Sequence, residues 1–275
     1  MNMHSGRRVA LAIVVVATLV VAATTARPAR GPRFTSLRHT LASVSSNWAG
    51  YIVQAPDGAD PLTFTDVVGT WVQPKLACTK GRAASSGFWV GLGGARGDSM
   101  TLEQTGTAAT CTRAGRATYY AWYEVVPSPP ARINLTIAPG DTILGAVAYV
   151  DGRTVLELKN VTRGTAVTRK LAVPDPDLSS AEWIAEAPAL CTSLNSCKID
   201  RLANFRRILF TQAAVTGAEH TGTINDPAWE ATPITLAPNA SLVAADPLAA
   251  GAVPSALTED GRSFSVTWAR NVAAP

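Results

Sequence analysis

The sequence predicts an all-β domain of mostly antiparallel strands, a sandwich or barrel, and three observations carry that expectation. Short apolar or alternating runs of β-prone residues recur along most of the chain, the pattern of half-buried strands. The breaks between them hold strong turn chemistry, as in Pro56-Asp57-Gly58, Pro139-Gly140-Asp141, Asp151-Gly152 and Arg163-Gly164. No amphipathic pattern of helical period and length follows the first 26 residues. With 275 residues, 47% hydrophobic and 16% charged, the chain can bury a sizeable core as a single domain.

Taken in order, the chain opens with Arg7 and Arg8 before an uncharged run over residues 9–26, which ends in Thr24-Thr25-Ala26 and is followed by Arg27-Pro28. A basic start, an apolar stretch and a small-residue end predict a secretory signal over residues 1–26. The run is about 18 residues long, near the lower limit for crossing a bilayer, so an uncleaved anchor is the alternative. Either way the protein is expected to be exported, as a secreted or envelope-held chain. Residues 27–44, rich in Arg, Pro, Ser and Thr, read as a flexible arm or short prosegment.

Residues 45–275 then form one domain. Strands are expected over residues 48–53, 64–72, 87–92, 118–126, 133–137, 142–150, 155–160, 166–173, 182–185 and 263–268. Asp151-Gly152, between two β-prone runs, suits a hairpin turn. The Ala- and Pro-rich residues 237–256 read as a long loop with room for one short strand.

A sequence pI of 9.0 suggests a nucleic-acid partner, but the position of the charges removes it. Six arginines and no acid lie within residues 1–43, so of the 24 basic residues 18 remain against 20 acids, a net charge of −2. Such a domain offers no phosphate-binding surface. Four cysteines in an exported chain favour disulfides. Cys191 and Cys197 bracket a loop-like stretch that a local bridge could close, which leaves Cys78 with Cys111. No C-x-x-C pair and only three histidines are present, so no metal is expected. Asn134, Asn160 and Asn239 open N-x-[ST] sequons.

Common hydrolase templates do not fit. His220 is the one histidine available to a Ser-His-Asp triad, and the nucleophile elbow, the zinc-binding H-E-x-x-H helix and paired D-T-G aspartates are all missing. What remains is Glu and Gln inside strand-like segments, above all Thr101-Leu102-Glu103-Gln104-Thr105-Gly106 and Ala181-Glu182-Trp183-Ile184-Ala185-Glu186. Burying such groups unpaired costs about 1–3 kcal/mol. On an extended strand Glu182, Ile184 and Glu186 share one face, where burial and mutual repulsion raise at least one carboxyl pKa into the range of a general acid or base. Gln104 cannot titrate, but its amide can donate to a developing oxyanion and accept from water.

Six stretches, in this order, carry a family resemblance: Ser46-Asn47-Trp48-Ala49-Gly50, Gly69-Thr70-Trp71-Val72-Gln73-Pro74, Trp89-Val90-Gly91-Leu92, Leu102 to Gly106, Ala121-Trp122-Tyr123-Glu124 and Ala181 to Glu186. Together they resemble the glutamic peptidases, or eqolisins. The resemblance implies a two-sheet sandwich like the concanavalin-type lectins, with a substrate cleft on a concave face. It implies an endopeptidase favouring acidic pH, with polypeptide substrates, no cofactor, no membrane partner beyond export and a monomeric state. The family's catalytic Gln falls on Gln104 and its catalytic Glu on Glu186, with Glu182 as the nearby alternative. Trp48, Trp89 and Glu124 match positions that line or support the site.

The chain departs from the family in carrying Gly93 where an Asp is usual, two residues after the Gly of W-V-G, and in its short arm. A lost carboxylate there is expected to alter substrate preference or pH profile. Two other functions compete. A lectin-like sandwich with several acids could bind or hydrolyse glycans, and a non-catalytic homologue could act as a binding module.

Overall fold

The computed structural model describes residues 44–270 except 194–195, 218, 239–242, 244–245 and 247, together with residue 272. The expected signal lies outside the described residues, as does the expected arm apart from Val44. In the first half of the chain the strands are β1 (Val44–Ser45), β2 (Trp48–Gln54), β3 (Phe64–Val72), β4 (Ala84–Leu92), β5 (Leu102–Cys111), β6 (Ala117–Val126) and β7 (Ala131–Ile133). Next come β8 (Thr142–Val150), β9 (Arg153–Asn160), β10 (Thr165–Leu171), β11 (Ser180–Glu186), β12 (Ala189–Ser193) and β13 (Ser196–Ile199). The last are β14 (Arg207–Gly217), β15 (His220–Gly222), β16 (Glu230–Leu236), β17 (Ala250–Pro254) and β18 (Phe264–Arg270).

Strands β10-β9-β8-β3-β14-β18-β17 form one layer and β16-β2-β11-β4-β5-β6-β7 the other. The two expected sheets are joined, because β16 pairs through Ile234 with Gly50 of β2 and through Leu236 with Ala252 of β17. The layers meet face to face where β3 and β8 lie against β4, β5 and β11. Trp71, Phe88, Val90, Trp183 and Phe210 fill the space between them.

β11 shows how alternation builds this arrangement. Its odd residues Ala181, Trp183 and Ala185 join the core, so Glu182, Ile184 and Glu186 take the other face. Trp183 Nε1 donates to Val68 O at 2.8 Å, tying the layers together. Its ring comes so close to β3 that a Cβ on Gly69 would lie 2.7 Å from Trp183 Cδ1.

Turn chemistry works as read at Asp151 and Gly152, which have φ of 51° and 71° and place Val150 opposite Arg153. Two positive φ angles suit the twist of a two-residue hairpin. The expected strand over residues 133–137 is instead β7, which stops at Ile133 at the edge of its layer. Leu135 and Ile137 are still buried; alternation reported a buried face, and among the described residues the backbone there pairs with no strand. The stretch between Cys191 and Cys197, read as loop, is the β12–β13 hairpin, and its register sets those two residues opposite each other. Their side chains lie outside the described residues. The other pairing stands, since Cys78 and Cys111 form a disulfide.

β14, the longest strand, escaped the sequence reading because its buried residues change parity. Ile208 and Phe210 are inside, and then Ala213 and Val215. Gln212, at φ 53°, sits in the bulge where the register with β3 slips between Thr211 and Ala214, and one extra residue turns every later side chain over. Asn160, one of the sequons, is fully buried and donates through Nδ2 to Thr136 O and Asp141 Oδ2. It is no glycan acceptor in the folded chain; Asn134 is exposed.

The Cys78–Cys111 bridge spans a sequence separation of 33 residues. Replacing both cysteines with serine is expected to cost about 3–4 kcal/mol, from the loop entropy returned to the unfolded chain. Denaturant unfolding reads this directly. A loss below about 1 kcal/mol would show that the bridge constrains little.

Candidate active site

On the face of β2-β11-β4-β5-β6-β7 turned away from the core, alternate residues line up in rows across the strands. One row runs Ile52, Glu182, Gly91, Gln104, Glu124. The next runs Gly50, Ile184, Trp89, Gly106, Trp122, Arg132, and the third Trp48, Glu186, Gly87, Ala108, Tyr120. All six residues singled out from the sequence therefore share one face. Trp48, Trp89, Gln104, Glu182 and Glu186 are at most 1% exposed, and Glu124 is 2% exposed.

Glu186 is held from both sides of its strand. Trp89 Nε1, on β4, donates to Glu186 Oε2 at 2.8 Å, and Asn47 Nδ2, just before β2, donates to Glu186 Oε1 at 3.0 Å. The Ser45 hydroxyl donates to Asn47 Oδ1 at 3.2 Å, which leaves the Asn47 amide nitrogen aimed at Glu186. Trp48 packs edge-on against Trp89 with ring centroids 5.0 Å apart. The two indoles were expected to line the cleft, and Trp89 spends its polar edge on Glu186. Burial pushes the Glu186 pKa from 4.5 up to about 8; Trp89, Trp48 and Asn47 pull it down without overcoming that push.

Gln104 is held separately. Its Nε2 donates to Glu124 Oε2 at 2.9 Å, while its buried Oε1 has no hydrogen bond among the described residues. The amide thus keeps one N–H and a carbonyl oxygen for other partners. Gln104 and Glu186 do not touch. They stand two strands and two rows apart, roughly 16 Å between Cα atoms at ordinary sheet spacings, and can meet only through a substrate and water. Glu182 shares the Gln104 row across Gly91 and is nearer, roughly 10 Å by the same spacings. Neither of its oxygens has a hydrogen bond within normal geometry among the described residues. Burial pushes its pKa well up, opposed by the neighbouring Ser180 hydroxyl.

Two features went unread in the sequence. Asn47 lies within the stretch Ser46 to Gly50, and no local pattern there points to Glu186. Gly93, read as a lost carboxylate, has φ +78°, and a Cβ there would lie 2.2 Å from Asp177 O, so no side chain fits. Asp177 supplies a carboxylate beside it, accepting from Gly94 N at 3.1 Å, Ser179 N at 2.9 Å and the Ser99 hydroxyl. Burial works against the Asp177 charge, but these donors outweigh it and hold the pKa below the ordinary range. Glu103, next to Gln104 in sequence, points to the opposite face; burial, helped by the Asp177 charge, pushes its pKa up to about 8 against the Thr101 hydroxyl.

The profile of the peptidase A4 family matches residues 46–246. Among solved structures, scytalido-glutamic peptidase with a transition state analog inhibitor is 25% identical, with 81% of this chain and 98% of that one covered and a TM-score of 0.63. Aspergilloglutamic peptidase from Aspergillus niger is 26% identical over 67% of this chain and 99% of that one, at a TM-score of 0.52. SCP-B, a member of the eqolisin family in complex with the tripeptide Ala-Ile-His, shares the fold at 23% identity, 81% and 98% coverage and a TM-score of 0.53. No curated protein matches the chain.

Glu103, Glu182 and Glu186 all bind their protons more tightly in the folded chain than when unfolded. The stability this confers is complete below about pH 4.5 and is lost as the pH climbs through about 8. The melting temperature should fall by roughly 5–10 °C between pH 5 and pH 8.5, and Glu182→Gln, which stays neutral, should flatten the decline. A melting temperature that rises over that range would contradict the account.

Proposed function

Since the chain belongs to the peptidase A4 family and is a glutamic-type endopeptidase, we propose that it works as an exported monomer on polypeptide chains, with Glu186 and Gln104 as the hydrolytic pair. The observation that carries the pair is the contrast among the buried groups of one face. Glu186 alone of the two β11 carboxyls has an N–H donor on each oxygen, so it can hold a negative charge. Gln104 has a carbonyl oxygen with no hydrogen bond among the described residues, an acceptor suited to a water.

In this reading Gln104 Oε1 orients the attacking water, whose proton passes to ionised Glu186 through a second water bridging the gap between their rows, and the oxygen of the first water attacks the scissile carbonyl carbon. The free N–H of Gln104 donates to the oxyanion of the tetrahedral intermediate. As the C–N bond breaks, Glu186 returns its proton to the leaving nitrogen, releasing an acid and an amine without an acyl-enzyme. Acidic working conditions suit the buried carboxyls on which the fold rests. The base must nevertheless ionise, and burial is the largest cause of the raised Glu186 pKa. Water and substrate replace that burial with polar contacts, after which the indole and amide donors favour the carboxylate. Export rests on the residue 1–26 pattern.

Hydrolysis of an unstructured protein by the chain lacking residues 1–26, from pH 2 to 8 and with pepstatin present, tests the assignment. Cleavage should survive pepstatin, fall about 10²–10⁴-fold in Glu186→Gln and about 10²–10³-fold in Gln104→Ala. Full activity in Glu186→Gln with loss in Glu182→Gln would transfer the base to Glu182. A Gln104→Glu variant more active than the parent on glycans would favour the glycosidase alternative.

A further inference from the structure

Arg132 ends the row that runs through Ile184, Trp89, Gly106 and Trp122. Ile133 beside it turns into the core, so Arg132 stands on the face that carries Gln104 and Glu186. Its guanidinium carbon lies 4.0 Å from the centroid of the Tyr120 ring, and Tyr120 belongs to the same row as Glu186. Arg132 makes no ion pair among the described residues and is exposed. The carboxylate on β6, Glu124, is engaged by Gln104. Among the described residues of the three rows Arg132 is the one cation, on a face that otherwise carries Glu124, Glu182 and Glu186.

A guanidinium laid on an aromatic ring is held by the ring's negative face, which removes much of its freedom. The ring occupies the plane and leaves the N–H edges, and those edges form a fork that matches a carboxylate in a bidentate pair. The position also fits a peptide. Arg132 stands two strands and one row from Gln104, roughly 12 Å between Cα atoms, a span that an extended chain crosses in about three to four residues.

Resting on the peptidase reading above, we infer that Arg132 is a specificity residue which recognises an acidic substrate side chain three or four residues from the scissile bond. Tyr120 positions it. The site therefore prefers Asp or Glu at that place over an uncharged residue, and disfavours Lys.

The test uses three peptides that differ only in Glu, Gln or Lys at the third and fourth positions from the cleaved bond, assayed at pH 5.5, where a free Glu is mostly ionised. Wild type should cleave the Glu peptide with a kcat/KM about three- to tenfold above the Gln peptide, with the Lys peptide slowest. Arg132→Glu should invert the order, and Arg132→Lys should keep part of the preference. A wild type without preference, or a preference unchanged in Arg132→Glu, overturns the inference while leaving the peptidase reading intact. If no peptide is cleaved the peptidase reading fails, and binding of the same dye-labelled peptides to folded wild type and Arg132→Glu still decides; equal affinity for Glu and Lys peptides by wild type overturns the inference.

Discussion

A carboxyl shut away from water can carry charge only where donors replace the solvent, and Glu186 takes donors from either side of its own strand. Asn47 reaches it from just before β2 and Trp89 from the middle of β4. Both contacts exist because β11 is paired on both edges, with Glu186 opposite Trp48 on one side and Gly87 on the other. The opposite face of the same strand sets Trp183 into the core, with its indole N–H on Val68 O. One seven-residue strand thus fixes the layer contact with its odd residues and the candidate chemistry with its even ones. A register slip of one residue would put Trp183 on the site face and the carboxyls in the core, so fold and site stand or fall together.

That dependence explains what could be read without a structure. The limits of β8 follow from the sequence because its apolar run lies between the turn residues Pro139-Gly140-Asp141 and Asp151-Gly152, and its buried residues alternate from Ile143 to Val147. β14 was hidden by a single inserted residue at Gln212, which reverses the parity of everything after it. At the site, Gln104 and Glu186 were legible because each lies in a compact motif and the motifs come in a telling order. The partnerships were not. Asn47 with Glu186 joins residues 139 apart, and Gly94 with Asp177 joins residues 83 apart. Such contacts follow from the strand order β2-β11-β4-β5 and from loop paths that local patterns do not specify. Gly93 is the clearest case, since its meaning changes from a missing carboxylate to a place where the Asp177 backbone leaves no room.

The two carboxyls of β11 show how environment divides roles between groups of the same chemistry. They lie on one face of one strand, both with no solvent exposure. Glu186 faces the N–H donors of Asn47 and Trp89, which stabilise the ionised form and are poorly used by a neutral acid; Glu182 has no hydrogen bond on either oxygen among the described residues and lies within reach of the Asp177 and Glu103 charges, which raise its pKa further. Burial alone would keep both neutral. Once polar contacts with substrate and water enter, the donor set favours ionisation of Glu186, while Glu182 still has the Asp177 charge against it. The separation of an ionising carboxyl from one kept protonated is the usual way an active site assigns base and spectator among like groups. On the proposed reading it also explains why a chain with four acids near one sheet face need not be a two-carboxylate glycosidase: Glu103 points away, Glu124 is engaged with Gln104, and burial favours neutral Glu182, so the proposed partner of Glu186 is an amide rather than a second acid.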